Sequence, residues 1–182
     1  MNKKHFFNAV VLFALILTVT SCSPSIFGAV GRGSIVDEPI AVTPFTSVVT
    51  SASADVTITT GDSLQVVLSD YENLIEYWDV KVENNQLVIE TKPFTSLINS
   101  KAKVTIVMPA TLKEVKIADS RKMYLLDLIA NDVTCIISGS GNMYVHAQNS
   151  LNATITGSGN IIYSGNPTVD VKTSGSGSVR HE

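Results

Sequence analysis

Hydrophobic and polar residues alternate along most of the chain beyond residue 35, which predicts short β-strands with one buried and one outward face. Asn84-Asn85, Gly61-Asp62 and Lys92-Pro93 separate the alternating segments as turns. One short helical turn is predicted, over Tyr71–Glu76. The chain is therefore expected to be all-β. The clearest predicted strands are Val56–Thr59, Leu64–Leu68, Val80–Val82, Leu87–Ile89, Val104–Val107, Val115–Ile117 and Val133–Ile137.

The N-terminus differs from the rest because it is almost uniformly apolar. Lys3 and Lys4 precede the apolar run Phe6–Thr18, which is shorter than the about 20 residues that a membrane-spanning helix needs. Such a run is typical of a signal peptide. The residues that follow, Val19-Thr20-Ser21-Cys22, resemble the lipobox of bacterial lipoproteins. We predict a signal peptide over residues 1–21 and a lipid on Cys22; an ordinary secretory signal with a chance cysteine is the alternative.

Residues 22–34 contain three glycines and a proline among small side chains, which predicts a flexible tether. The folded domain is expected over residues 35–182. The lipid would attach the chain to the cell envelope, as an outer-membrane lipoprotein on the periplasmic side or at the cell surface. No acidic run follows Cys22 to act as the surface-export signal of some lipoproteins.

Charge and cysteine content narrow the range of functions that the chain could have. The chain has 182 residues and a net charge of −3, which becomes −5 when the signal peptide and its two lysines are removed. A mildly acidic chain lacks the basic surface of a general nucleic-acid-binding protein. Only two cysteines are present, so with Cys22 acylated no disulfide framework is available. Cys135 lies in an apolar run and is expected to be buried.

A Gly-Ser motif recurs at a fixed interval of 18 residues. It begins at Ser138, Thr156 and Ser174, and a degenerate copy over Ile117–Tyr124 precedes it at an offset of 20. A weaker copy of the motif, Thr50–Val56, has alanines in place of the glycines. A flexible Gly-Ser linker is the alternative, but linkers lack β-branched flanks and a regular period.

A fixed period of this kind indicates a β-solenoid, in which each copy forms one coil. Coils would stack at ~4.8 Å through parallel hydrogen bonds, and their apolar residues would form one continuous core. Ser, Thr and Asn at equivalent positions could then hydrogen-bond from layer to layer. Glycine suits a tight corner or a close approach between backbones. The predicted corner glycines are Gly139, Gly141, Gly157, Gly159, Gly175 and Gly177.

These features together resemble the bacterial family of putative auto-transporter adhesins with a head GIN domain. The segments that carry the resemblance are Asp55–Ile58, Asn85–Ile89, Val104–Pro109 and the three Gly-Ser motifs. The resemblance covers about residues 36–180 and implies a right-handed parallel β-helix-like fold with short coils. It also implies export, a lipid anchor and an adhesin-like function. Ala52, Ala54, Ser120 and Lys122 replace glycines of the pattern, so those corners could be built differently.

Candidate binding residues lie at two places in the repeat. Tyr124 and Tyr144 occupy equivalent positions and could form an aromatic ladder for a sugar, although aromatic residues can equally fill the core. Asp119 and Arg121 form the most charged corner. His146 has no nearby metal-ligating partner in the sequence, and no phosphate-binding motif occurs, so we expect no metal site and no cofactor.

We therefore predict a lipid-anchored, exported binding module with a glycan or an envelope protein as ligand. A carbohydrate-active enzyme of the lyase or hydrolase type is the first alternative, because parallel β-helices host such enzymes. No carboxylate pair in the sequence supports catalysis, and this alternative rests on fold analogy. A purely structural envelope protein is the second. The last coil could also pair with another copy of the chain.

Overall fold

The computed structural model describes residues 28–119 and 122–182, and the regular structure of these residues consists of strands and one 3-10 helix. A 3-10 helix over Glu72–Tyr77 overlaps the predicted helical turn, and each of the seven predicted strand segments coincides with a strand. The all-β prediction is confirmed. The strands are β1 (Ala29–Val30), β2 (Ile35–Pro39), β3 (Ser47–Thr50), β4 (Asp55–Thr60), β5 (Gln65–Tyr71), β6 (Trp78–Glu83), β7 (Gln86–Thr91), β8 (Leu97–Ile98), β9 (Lys103–Met108), β10 (Glu114–Ile117), β11 (Lys122–Ile137), β12 (Asn142–Gly157), β13 (Asn160–Ser164), β14 (Thr168–Gly175) and β15 (Ser178–His181).

Thirteen of these strands form one curled, open sheet, and β1 and β8 pair separately. The 16-residue strands β11 and β12 take part in two rows of the sheet, because their first and second halves pair with different neighbours. The first row runs β6, β7, β3, β10, the second halves of β11 and β12, and β14. The second row runs β2, β5, β9, β4, the first halves of β11 and β12, β13 and β15.

The Gly-Ser repeat sets the register between strands. Asn142, Asn160 and Ser178 pair in sequence at the predicted offset of 18 residues. Tyr124 pairs with Tyr144 at the predicted offset of 20. The weaker copy of the motif, Thr50–Val56, follows the same register, because Thr50 pairs with Ile117 and Val56 pairs with Met123. Copies of the motif therefore lie one above another as successive layers.

A uniformly parallel solenoid is not what the sheet shows over its whole length. The pairs β2–β5, β5–β9 and β6–β7 are antiparallel, and all three lie towards the N-terminal edge of the sheet. The β6–β7 pair follows from its connection, because Asn84 and Asn85 both have positive φ, at 50° and 65°, as a two-residue hairpin turn requires. Parallel pairing begins at β7–β3 and β9–β4 and continues to the C-terminus.

The core lies between the two rows and is formed by matching apolar columns. In the second row, Val104, Val56, Met123, Met143 and Ile161 are register neighbours and have no exposed surface. A matching column in the first row includes Val115 and Cys135, so the expected burial of Cys135 is confirmed. Each layer contributes a residue to each column, so each added layer buries more apolar surface.

The first described strand begins before the expected domain boundary. Ala29 and Val30, inside the predicted tether 22–34, pair with Leu97 and Ile98 as β1 and β8. The backbone nitrogen of Arg32 donates a hydrogen bond to the side chain of Asn73, over 2.8 Å. Glycine content suggested a tether, but the backbone groups of these residues find partners on the domain. The structure therefore extends from residue 28; Cys22 and the signal peptide lie outside the described residues.

Candidate functional site

Tyr124 and Tyr144 form a stacked pair on the outer side of the second row. Their ring centroids are 5.0 Å apart and the rings are inclined by 11°. Tyr144 alternates along β12 with the buried residues Met143 and Val145, so it points away from the core, and both tyrosines are half-buried. We call this outward surface of the second row, centred on the two rings, the tyrosine face.

The stacking limits how the tyrosines could contact a ligand. One face of each ring is covered by the other ring. The register places Thr57 on the far side of Tyr124 and Ile162 on the far side of Tyr144. Ile162 is only 6% exposed although it lies in the outward column. The two tyrosines thus stack on one another as neighbours in adjacent layers, and a ligand approaching from outside would meet ring edges and phenol hydroxyls.

Side chains beside the tyrosines hydrogen-bond from layer to layer. Asn160 donates from its side chain to Oδ1 of Asn142 over 2.9 Å, and Ser178 donates from its hydroxyl to Oδ1 of Asn160 over 2.8 Å. On the other side of Tyr144, Nδ1 of His146 lies 3.0 Å from the hydroxyl oxygen of Ser164. The predicted layer-to-layer bonding of Asn and Ser is present. These bonds link polar side chains on either side of Tyr144 from one layer to the next.

The corner predicted from Asp119 and Arg121 is only partly described. The hydroxyl of Ser53 donates to Oδ2 of Asp119 over 2.6 Å, and the amide of Gly141 donates to the Asp119 carbonyl over 3.0 Å. Arg121 lies outside the described residues. Asp119 thus joins the corner of the layer below to the first Gly-Ser corner, which gives it a structural role whatever it binds.

A polar cleft of about 590 Å³ lies beside this corner. Asp55 lines the cleft, and its Oδ1 accepts a hydrogen bond from the amide of Lys122, over 3.4 Å, next to the tyrosine face. The cleft was not predicted, because its lining comes from two segments, 53–55 and 97–102, that lie more than 40 positions apart in the chain. Its lining residues are Ser53, Asp55, Leu97, Asn99, Ser100, Lys101 and Ala102.

A buried carboxylate fixes one wall of the cleft. Asp70 has no exposed surface and accepts hydrogen bonds from the hydroxyl of Ser100 over 2.7 Å, from the amide of Lys101 over 2.9 Å, and from Nε1 of Trp78 over 3.1 Å. A fourth bond comes from the amide of Tyr71. Because these donors satisfy the carboxylate, we assign Asp70 to holding the cleft wall and not to ligand contact.

The corner glycines are placed where side chains would collide with the next layer. A Cβ on Gly159 would lie 2.1 Å from the carbonyl oxygen of Gly141, and one on Gly177 would lie 2.2 Å from that of Gly159. Gly175 also has a φ of 129°, which L-residues rarely adopt. The alanine corner differs: Ala52 and Ala54 are buried, and the amide of Ala54 donates to the carbonyl of Ala52.

Within residues 28–119 and 122–182, no group of three or more His, Cys, Asp or Glu side chains is arranged to hold a metal ion. None of the helices in that part of the chain is long and apolar enough to cross a bilayer.

Lys81 and Lys116 form ion pairs on the first row, and Nζ of Lys81 lies 2.7 Å from Oδ2 of Asp79. The pKa of Lys81 is raised by its hydrogen bond with Asp79, which contributes most, and by its hydrogen bond with Glu83.

The fold and its Gly-Ser layers define an all-β domain built from stacked repeats, and a family model matches most of it. The model described as "Putative auto-transporter adhesin, head GIN domain" matches residues 44–125 and 122–167. The chain belongs to this family, so the resemblance seen in the sequence is confirmed.

Several solved structures are similar to the chain. One is a putative adhesin from Parabacteroides merdae, 18% identical, covering 85% of this chain and 99% of that chain with a TM-score of 0.48. Another is a putative adhesin from Bacteroides fragilis, 17% identical, covering 85% and 100% with a TM-score of 0.45. A putative cell adhesion protein from Clostridium sporogenes is 11% identical and covers 82% and 100%, with a TM-score of 0.47. No curated protein matches the chain.

Proposed function

We propose that the protein is an exported, lipid-anchored binding module whose tyrosine face and adjoining cleft recognise a glycan of the cell envelope or of a neighbouring surface. One observation carries the proposal. Polar side chains that line the cleft, including Ser53 and Asp55, adjoin the tyrosine face, because the amide of Lys122, two residues before Tyr124, donates to Asp55. Such groups match the hydroxyls of a sugar, and adhesin family membership supports a binding role.

Binding is favoured over catalysis because the carboxylates near the site already have partners. Asp119 accepts a bond from Ser53, Asp55 accepts one from the Lys122 amide, and Asp70 is fully buried. Glycoside hydrolysis needs one carboxyl group that gives up a proton and a second that attacks or activates water. The residues that line the cleft in the described part of the chain include one carboxylate, Asp55.

A glycan array tests the proposed ligand class. We would use residues 28–182, which include every described strand, and compare them with the Tyr124→Phe/Tyr144→Phe double variant. Because one face of each ring is covered by the other ring, we expect recognition to depend on the phenol hydroxyls, so the Phe variant should lose most of the binding. A Thr154→Ala variant, changed on the first row, should bind normally.

Two results would overturn this assignment. One is the absence of saturable binding to any glycan by the unchanged protein. The other is binding that survives in a Tyr124→Ala/Tyr144→Ala variant that is folded by circular dichroism, since the contact would then lie elsewhere.

We further propose that the mature chain begins with acylated Cys22 and resides in the outer membrane, at its periplasmic side or at the cell surface. The lipobox-like sequence and the apolar run before it support this assignment. Mass spectrometry of the N-terminal peptide from the native host should show a diacylglyceryl cysteine at position 22. A mature chain with unmodified Cys22, or with the signal peptide retained, would refute it.

A further inference from the structure

Phe94 is an exposed aromatic side chain in a strained conformation. It is 98% exposed and has a φ of 60°. A bulky residue in the left-handed region costs free energy that glycine or asparagine would avoid, and an exposed phenylalanine gains nothing from the core. Folding alone therefore does not explain this residue. Strained positions of this kind cluster at sites of function.

The loop that carries Phe94 lies where the chain enters the domain. The amide of Ala29 donates to the carbonyl of Ser96 over 2.8 Å, and the amide of Gly31 donates to the carbonyl of Ile98 over 2.9 Å. Ile98 is a second exposed apolar side chain, at 42%. The first described residues thus run directly along the Phe94 loop.

The distance to the proposed lipid is short. Six peptide units separate Cys22 from Gly28, and they reach about 20 Å at full extension. Ser96 is two residues from Phe94, which adds about 7 Å. An acylated Cys22 would therefore keep Phe94 within reach of the bilayer surface, where an aromatic ring and an aliphatic side chain are stabilised.

We propose that the Phe94 loop, with Ile98 beside it, inserts into the membrane surface as a second contact next to the lipid. This inference rests on the proposed lipid anchor. The contact would fix the orientation of the domain, with its N-terminal layers at the bilayer and with β14 and β15 away from it. Arg32 and Lys92 are exposed on the same segments and suit anionic headgroups.

The test places an environment-sensitive fluorophore on a Phe94→Cys variant of the acylated chain. Cys135 has no exposed surface and Cys22 carries the lipid, so the label goes to position 94 alone. The matched control is Val171→Cys, because Val171 is also apolar and 46% exposed but lies on β14, in the last layer. Both labelled proteins are added to vesicles of phosphatidylethanolamine and phosphatidylglycerol.

We expect the label at position 94 to shift to shorter wavelength and to be protected from an aqueous quencher, and the label at position 171 to stay exposed. Co-sedimentation with vesicles separates the two proposals. Protein that sediments while position 94 remains quenchable refutes the loop contact and leaves the anchor intact. Protein that does not sediment, with Cys22 unmodified by mass spectrometry, refutes the anchor. Equal shifts at positions 94 and 171 would contradict the proposed orientation.

Discussion

At the scale of single residues, the corner glycines determine how closely the layers approach. Gly159 shows this most directly, because a Cβ there would lie 2.1 Å from the Gly141 carbonyl oxygen and 2.7 Å from Cγ2 of Ile137. Overpacking of this kind costs about 1–3 kcal/mol. We expect Gly159→Ala to lower the free energy of unfolding in urea by that amount. Ser158→Ala, changed at an exposed position of the same corner, should stay within about 0.5 kcal/mol; equal stability of both variants would show that the layers are not in close contact.

Cys135 provides a second prediction at the residue scale, because its side chain is buried in the core. Burial raises the pKa of its thiol to about 12, from an ordinary value near 9. The unfolded chain therefore loses this proton above about pH 9 while the folded chain keeps it, so the contribution of Cys135 to stability falls by about 1.4 kcal/mol per pH unit between 9 and 12. Cys135→Ala should show a shallower decline than the unchanged protein over that range.

Thiol labelling at pH 8 gives an independent measurement of the same residue. Residues 28–182 contain Cys135 as their single cysteine. Labelling requires an accessible thiolate, and the buried Cys135 becomes accessible when the protein unfolds. The labelling rate should therefore rise with denaturant. Rapid labelling of the native protein would contradict the buried position.

Among the elements, the last strands depend on a side-chain ladder as well as on backbone pairing. Asn160 donates to Asn142 and accepts from both the amide and the hydroxyl of Ser178. Asn160→Ala should cost about 1–2 kcal/mol and should speed hydrogen exchange of the β15 amides. Asn152→Ala, at an exposed position on the neighbouring strand β12, is the control. Unchanged exchange in β15 would mean that the ladder adds nothing to the pairing of this strand.

The cleft wall is a second element whose position depends on one side chain. In Asp70→Asn, the amide group cannot accept all four hydrogen bonds, because its NH₂ group would face a donor. We expect a loss of about 3 kcal/mol and altered fluorescence of Trp78, whose Nε1 donates to Asp70. Ser100→Ala removes one donor and should cost less. If Asp70→Asn were as stable as the unchanged protein, the cleft wall would be held by other contacts.

The strand elements and the layer register were predictable because their signals are local or periodic. Alternation marks the strands, and the 18-residue interval aligns Asn142 with Asn160 and Ser178. The antiparallel pairs β2–β5 and β5–β9 were not predictable, since nothing in these strands encodes which partner lies beside each of them. The bonds between Asp70 and Ser100 and those between β1 and β8 join segments 30 or more residues apart, and their sequences carry no mark of the pairing.

For the whole molecule, stacking of the repeat copies is the claim on which the tyrosine face and its orientation both depend. Thr156 and Ser174 are register partners on β12 and β14, and both side chains are exposed. Their backbones should lie about 4.8 Å apart. Nitroxide labels on a Thr156→Cys/Ser174→Cys variant of residues 28–182 measure this spacing by electron paramagnetic resonance, and Cys135 is too deeply buried to react.

The matched control is a Thr156→Cys/Asp62→Cys pair, because Asp62 lies in the turn after β4 and is not a register partner of Thr156. We predict strong dipolar broadening for the Thr156 and Ser174 pair and none for the control. A double-label spectrum equal to the sum of the two single-label spectra would show that the Gly-Ser copies do not stack, and it would contradict the account.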